Sequence, residues 1–269
     1  MKIDEARLLA KQYGVTSLDP IDRGLVGDWR MDRNTGLFCP DYSGYASHGV
    51  ILGATWGSTD RGLALDCDGV DDYVTVPRGP HFDTDDITIE VLVRPNGVGT
   101  SSYVACQNDN ANAASQSWGI TQETTDWRFY TAEAGGPLGW DWDVISGTVA
   151  AGVWAHLVLT VRGVRCDGWV DAVQVAGGGD LAAVRTKSTS DLTIGTRTGA
   201  TTWDFSGAIA LVRFYNHALS ADEILRRYKI CLARGSGAPS VWMPQWSIPF
   251  VAGGPPPAGN PWYSYAQQM

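Results

Sequence analysis

Short apolar or alternating runs, spaced ten to fifteen residues apart and bordered by Gly, Asp, Asn and Pro, fill the middle of this chain. They read LVGDWRM, GLALDC, DYVTVP, ITIEVLVRP, YVACQ, WGIT, WRFYTA, WAHLVLTVRG, RCDGWVDAVQV, LTIG and FSGAIALVRFYN. Runs of this length with turn-forming borders are strands, and a long series of them packs as two antiparallel sheets face to face. In ITIEVLVRP, Ile87, Ile89, Val91 and Val93 share one face, and Thr88, Glu90, Leu92 and Arg94 share the other. In ALVRFYN, Leu211, Arg213 and Tyr215 oppose Val212, Phe214 and Asn216. Both patterns predict strands with one face in a core and one face in water.

The charged residues point the same way. Asp outnumbers Glu by 24 to 5, and Asp favours turns because its short carboxylate bonds nearby backbone amides. With 32 Gly and 12 Trp, the composition is that of a loop-rich β protein. The formal net charge of −9 argues against binding nucleic acid through the overall field. No apolar run is long enough to span a membrane, and the charged opening MKIDEARLLAKQYG is not a signal peptide. The expected product is therefore unexported and made in the cytoplasm. Cys39, Cys67, Cys106, Cys166 and Cys231 lack any C-x-x-C pair and are odd in number, so neither a disulfide framework nor a zinc site is suggested. They read as reduced, buried thiols.

Three parts are predicted. Residues 1–23 form an N-terminal arm with a short helix, too short to stand alone. Residues 24–230 form the sandwich, closed by a helix over 221–228, with Ser220 as N-cap and Glu223 as its capping-box partner. Residues 231–269 hold seven of the thirteen prolines, three tryptophans and no acid. Proline removes donors and fixes φ, so this segment is an extended arm. Trp242, Trp246, Phe250, Trp262 and Tyr263 in it need grooves to cover them, on this body or on a partner.

Four pieces, in order, resemble the laminin-G-like, concanavalin A-like jelly-roll family. These are GLVGDWRMD with DYSGYASHGVILGATW, LALDCDGVDDYVTVP leading into ITIEVLVRP, WAHLVLTVRGVRCDGWVDAVQV, and FSGAIALVRFYNHALSADEILRRY. The resemblance implies an all-β, two-sheet antiparallel jelly-roll sandwich. It also implies a structural calcium ion at Asp41, Asp71 and Asp72, with loop carbonyls near His48 and Gly49. Family members often carry an acidic pair before the last strand's V-R-x-Y run; here Ala210 and Leu211 stand there. The alternative is that Asp41 and Asp71 only cap their turns.

No enzyme is expected. Glycoside hydrolases need two carboxylates facing one cleft, and the family's E-x-D-x-x-E strand is missing. Glu90 reads as a surface carboxylate or an arginine partner, and His48, His81, His156 and His217 lack metal-ligand spacing. Two readings stand. One is a lectin-like module that stacks a glycan on Trp140, Trp142 and Trp203 beside Asp204; the alternative for Trp140 and Trp142 is packing at the sandwich edge. The other is a virion structural protein, since the layout resembles laminin-G-like jelly rolls of tailed bacteriophages and prophages. As a capsid decoration or head-surface subunit it would attach through its arms to the major capsid protein and to copies of itself. A particle-surface jelly roll would also be free to touch host glycans, with no direct nucleic-acid or membrane contact.

Overall fold

The computed structural model describes residues 22–99, 101–108, 116–135, 141–197 and 203–233. The expected N-terminal helix and the aromatic positions Trp242, Trp246, Phe250, Trp262 and Tyr263 lie outside the described residues. Along the chain the strands are β1 (Leu25–Trp29), β2 (Phe38–Cys39), β3 (Gly49–Leu52), β4 (Thr55–Thr59), β5 (Gly62–Asp68), β6 (Tyr73–Val76), β7 (Ile87–Pro95) and β8 (Ser102–Gln107). They continue with β9 (Trp118–Glu123), β10 (Asp126–Thr131), β11 (Trp142–Thr148), β12 (Ala155–Arg162), β13 (Arg165–Val170), β14 (Val173–Asp180), β15 (Leu192–Ile194) and β16 (Ser206–Tyr215). One helix, α1 (Ala221–Ala233), follows the last strand.

Two antiparallel sheets result, as the spacing of the runs predicts. The first has the order β14-β13-β12-β7-β16-β5-β4, and β1 extends it by pairing with the second half of β16. The second has the order β11-β10-β9-β8-β15-β6-β3-β2. Between them lies a core with Trp29, Trp118, Trp127, Phe82, Phe129, Phe205 and Phe214 fully buried. Burying a side chain of phenylalanine size contributes about 1.5–3 kcal/mol, so these rings dominate the cohesion of the sandwich. The indole nitrogen of Trp29 is not stranded there; it donates to the Ser47 carbonyl at 2.8 Å.

The expectation of half-wet strands at β7 and β16 is corrected by the helix. Ile87, Ile89, Val91 and Val93 do face the core, as Val212 and Phe214 do. Thr88, Glu90, Leu92, Leu211, Arg213 and Tyr215 on the opposite face are buried too. Helix α1 brings Ile224, Arg227 and Cys231 to that side, a stripe at helical spacing. The capping box forms as predicted: the Glu223 carboxylate accepts the Ser220 N–H at 2.8 Å, and Ser220 Oγ accepts the Glu223 N–H at 3.4 Å. The helix runs on to Ala233, beyond the expected end at 228, because Cys231 prolongs the buried stripe by another turn. That residue therefore belongs to the body and not to the arm, and it is not an exposed contact for other molecules.

Candidate functional site

The outward face of the second sheet carries an aromatic and arginine cluster separate from the core. Tyr103 on β8 and Tyr130 on β10 meet edge to face, with centroids 6.1 Å apart. Tyr130 can lie this low because β9 passes beneath it as Gly119, where a Cβ would overlap the Tyr130 hydroxyl. Trp203 is tilted against Tyr103 at 5.9 Å and is 36% exposed. Its backbone is fixed by the Tyr103 N–H, which donates to the Trp203 carbonyl at 2.9 Å. The Arg197 guanidinium lies 3.9 Å from the Trp203 ring centroid and 5.5 Å from that of Tyr103. Burial pushes the Tyr103 and Tyr130 hydroxyls above the ordinary tyrosine pKa, so both stay neutral donors.

Beside this cluster, Arg128 forms a two-point contact with Asp143, Nε to Oδ1 at 2.7 Å and Nη2 to Oδ2 at 2.5 Å. Its third nitrogen reaches Glu123 Oε1 at 3.1 Å. The bond to Asp143, opposed in part by burial, holds the guanidinium well above its usual pKa. Such a fork fixes the side chain and presents polar atoms at the rim of the aromatic patch. Of the three rings only Trp203 is exposed, Tyr103 and Tyr130 being buried behind it, and that ring next to fixed donors and acceptors matches what a sugar offers, an apolar C–H face edged by hydroxyls.

The predicted glycan set separates here. Trp203 and Asp204 stand at the cluster, Asp204 through a backbone bridge with Tyr103. Trp142 is buried in the core and cannot serve as a stacking platform; it packs at the β11 edge of the sandwich, with Gly179 close against its indole. Trp140 lies outside the described residues. Tyr103, Tyr130, Arg128 and Arg197 were not singled out in the sequence. Only the period-two offset of Tyr103 and Tyr130 from the core residues Val104 and Phe129 could have found them.

The expected calcium residues separate as well. Asp41 is fully engaged by its own loop: Oδ1 accepts the N–H groups of Asp28 and Ser43, and Oδ2 accepts Ser43 Oγ and the Ser47 N–H. That is the turn-capping alternative, and Asp41 does not group with Asp71 and Asp72. Asp71 and Asp72 instead come together with Asp68, with carboxylate atoms within 4.8 Å of one another. Burial first, then Asp68, Asp71 and Asp66, raise the Asp72 pKa, while the bond from the Asp68 amide opposes them. Carboxylates crowded in this way fit a hard, oxygen-seeking cation.

Under α1 the first sheet holds a buried ionic network. Glu90 Oε2 accepts the Tyr215 hydroxyl at 2.9 Å and lies 3.6 Å from Arg213 Nη1 and 3.7 Å from Arg227 Nη1. Glu90 Oε1 faces His156 Nε2 at 3.1 Å. Asp28 Oδ1 accepts Arg213 Nε at 2.9 Å. Burial alone would raise the Glu90 pKa, but Arg213, His156 and Arg227 hold it well below the carboxylate range. Burial likewise opposes a charged His156, yet the Cys231 sulfur and Glu90 beside it lift its pKa to about 10. The expected arginine partner for Glu90 is present twice over, in the interior rather than at the surface. All five cysteines are buried and free of disulfides, as expected, and burial pushes the thiols of Cys39 and Cys106 up to about 12.

The family model described as the concanavalin A-like lectin/glucanases superfamily, Laminin_G_3, matches residues 68–225. This chain belongs to that superfamily. Among solved structures, the superfamily fold of this chain is similar to the binding domain of Paraclostridial Mosquitocidal Protein 1, with a TM-score of 0.64 and 14% identity over 77% of this chain and 52% of that one. It is also similar to domain 4 of AbnA, a GH43 extracellular arabinanase from Geobacillus stearothermophilus solved with arabinotriose, with a TM-score of 0.58 and 16% identity over 75% of this chain and 97% of that one. Trypanosoma rangeli sialidase matches with a TM-score of 0.58 and 19% identity, over 77% of this chain and 32% of the sialidase. The chain thus spans about half of the mosquitocidal structure and a third of the sialidase. No curated protein sequence matches it. Among the described residues no helix is long and apolar enough to cross a membrane.

Proposed function

We propose that this superfamily member is a non-enzymatic, lectin-like module that binds a glycan on the outward face of its second sheet. The observation that carries this reading is the half-exposed Trp203, held by Tyr103 and Arg197 and edged by the Arg128 fork. The AbnA domain, solved with arabinotriose, shows a sugar ligand on a fold of this kind and supports the reading. Catalysis is not part of it, because Glu123 and Asp143 on that face are both committed to Arg128, and Glu90 lies beneath α1. An oligosaccharide array followed by calorimetry, with arabinotriose as the first probe, tests it. Binding by the full chain that falls at least tenfold in Trp203→Ala, about 1.4 kcal/mol, supports the site. Binding that is unchanged in Trp203→Ala removes it.

The finer reading is that this module decorates a virion, with the major capsid protein or copies of itself as neighbours. The sequence of residues 234–269 favours it, with three Trp, Phe250 and Tyr263 among seven prolines and no acid. Self-association of the full chain that disappears on truncation after Ala233, with glycan affinity retained, is the expected outcome in analytical ultracentrifugation. A structural calcium ion held by Asp68, Asp71 and Asp72 completes the proposal.

A further inference from the structure

The buried face beneath α1 brings together three side chains that are distant in sequence. Glu90 comes from β7, His156 from β12 and Cys231 from α1, and all are excluded from solvent. Glu90 Oε1 is 3.1 Å from His156 Nε2 and 3.8 Å from Cys231 Sγ, and one donor atom from each residue lies within 4.8 Å of the others. In a tetrahedral zinc site, bond lengths near 2.0 Å to nitrogen or oxygen and 2.3 Å to sulfur place neighbouring donors about 3.3–3.7 Å apart. The observed separations are close to those edges.

We propose that Glu90, His156 and Cys231 form a binding site for a thiophilic divalent cation of the zinc class, which fastens α1 to the first sheet. Further observations support it. His156 presents Nε2 to the other donors, 3.1 Å from Glu90 Oε1, while its Nδ1 makes no hydrogen bond among the described residues and lies outside the donor set. The two Glu90 oxygens are divided, with Oε2 turned to Tyr215, Arg213 and Arg227 and Oε1 turned to His156 and Cys231. Carboxylate ligands of metals are commonly oriented by such outer partners. Arg213 shares Asp28 with Arg30 and shares Glu90 Oε2 with Arg227, which also lies 3.5 Å from Asp22. Glu90 is thus divided between the arginines at Oε2 and the proposed cation at Oε1, and the Cys231 thiolate supplies the further negative charge.

A sulfur and an imidazole donor select zinc or cobalt over calcium or magnesium, and set this site apart from the all-oxygen Asp68, Asp71 and Asp72 group. Binding releases the Cys231 thiol proton, and any proton on the ligating imidazole nitrogen, to solvent. Three protein donors leave one tetrahedral position to water. The widely separated positions 90, 156 and 231 explain why no metal-ligand spacing appears in the sequence.

The test uses the tag-free full chain, refolded with Co2+ and then challenged with Zn2+. One Co2+ per chain with a thiolate-to-cobalt absorption band, displaced by Zn2+, is expected, together with a higher melting temperature in Zn2+. Cys231→Ser should abolish the band, and His156→Gln should weaken cobalt binding at least tenfold. Cys106→Ser and Asp71→Asn should leave both unchanged. A folded wild-type chain that retains no metal and shows no band overturns the proposal, even if the variants fail to fold. So does a band that survives in Cys231→Ser.

Discussion

The outer faces of the two sheets bury different chemistry. On the first sheet, α1 covers Glu90, His156, Arg213 and Tyr215 and adds Arg227, so that the buried charges lie in one network of ion pairs. On the second sheet no helix packs among the described residues, yet β8, β15 and nearly all of β9 are buried on both faces, and the exposed apolar groups lie toward the margins, Phe38 and Val50 on β2 and β3, Ile145 on the edge strand β11, and Trp203 beside Tyr103. A covered face can hold ions only as a paired network, because an unpaired buried charge is costly. The second sheet instead buries neutral groups, Tyr103, Tyr130 and Cys106, with Trp203 and the Arg128 fork at the exposed margin. The same superfamily sandwich thus seals an ion network under a helix on one side and keeps an aromatic margin on the other.

Removing a partner on each side should expose the contrast most sharply. Glu90→Ala leaves Arg213 and Arg227 without their shared carboxylate and should cost about 3–5 kcal/mol in guanidinium unfolding. Glu123→Ala, at the partly exposed Arg128 fork, should cost less than about 1 kcal/mol. Equal losses would break the distinction. Trp203→Ala should do the reverse of Glu90→Ala, with a large loss of glycan affinity and a stability change below about 1 kcal/mol, read from melting curves.

Much of this division was not legible in the sequence. Alternation in ITIEVLVRP and ALVRFYN placed the right residues on each face, and Ser220 with Glu223 marked the helix start. What alternation cannot say is whether a face is wet, because that depends on where a later helix docks. Thr88, Glu90 and Arg213 look like a solvent face until Arg227 and Cys231 arrive above them. The tryptophans show the same limit. Trp142 and Trp203 are equal candidates as letters, but one sits in an edge strand facing the core and the other beside Tyr103 on the outer face. Asp41 stands apart from Asp71 and Asp72 for a local reason: four donors lie within reach of its carboxylate, whereas Asp68, which sequence reasoning passed over, stands beside Asp71 and Asp72.

Smaller effects refine the picture. Ser220→Ala removes the cap of α1 and should cost about 1 kcal/mol, with the helix-covered face loosening first in hydrogen exchange. Ca2+ added to metal-stripped protein should raise the melting temperature of the wild type and leave that of Asp71→Asn unaffected if Asp68, Asp71 and Asp72 hold calcium. The β13–β14 turn has Asp171 at φ 52° and Ala172 at φ 63°, a left-handed pair that disfavours alanine. Ala172→Gly should therefore raise stability by up to about 1 kcal/mol, the smallest change of the series.

Mapping a bound oligosaccharide by amide chemical shifts in the labelled full chain bears most directly on the division between the faces. Perturbations centred on Tyr103, Arg128, Arg197 and Trp203, with α1 and β12 silent, are the expected result. Perturbations centred on α1 and the strands beneath it, with the Trp203 region silent, would contradict the account.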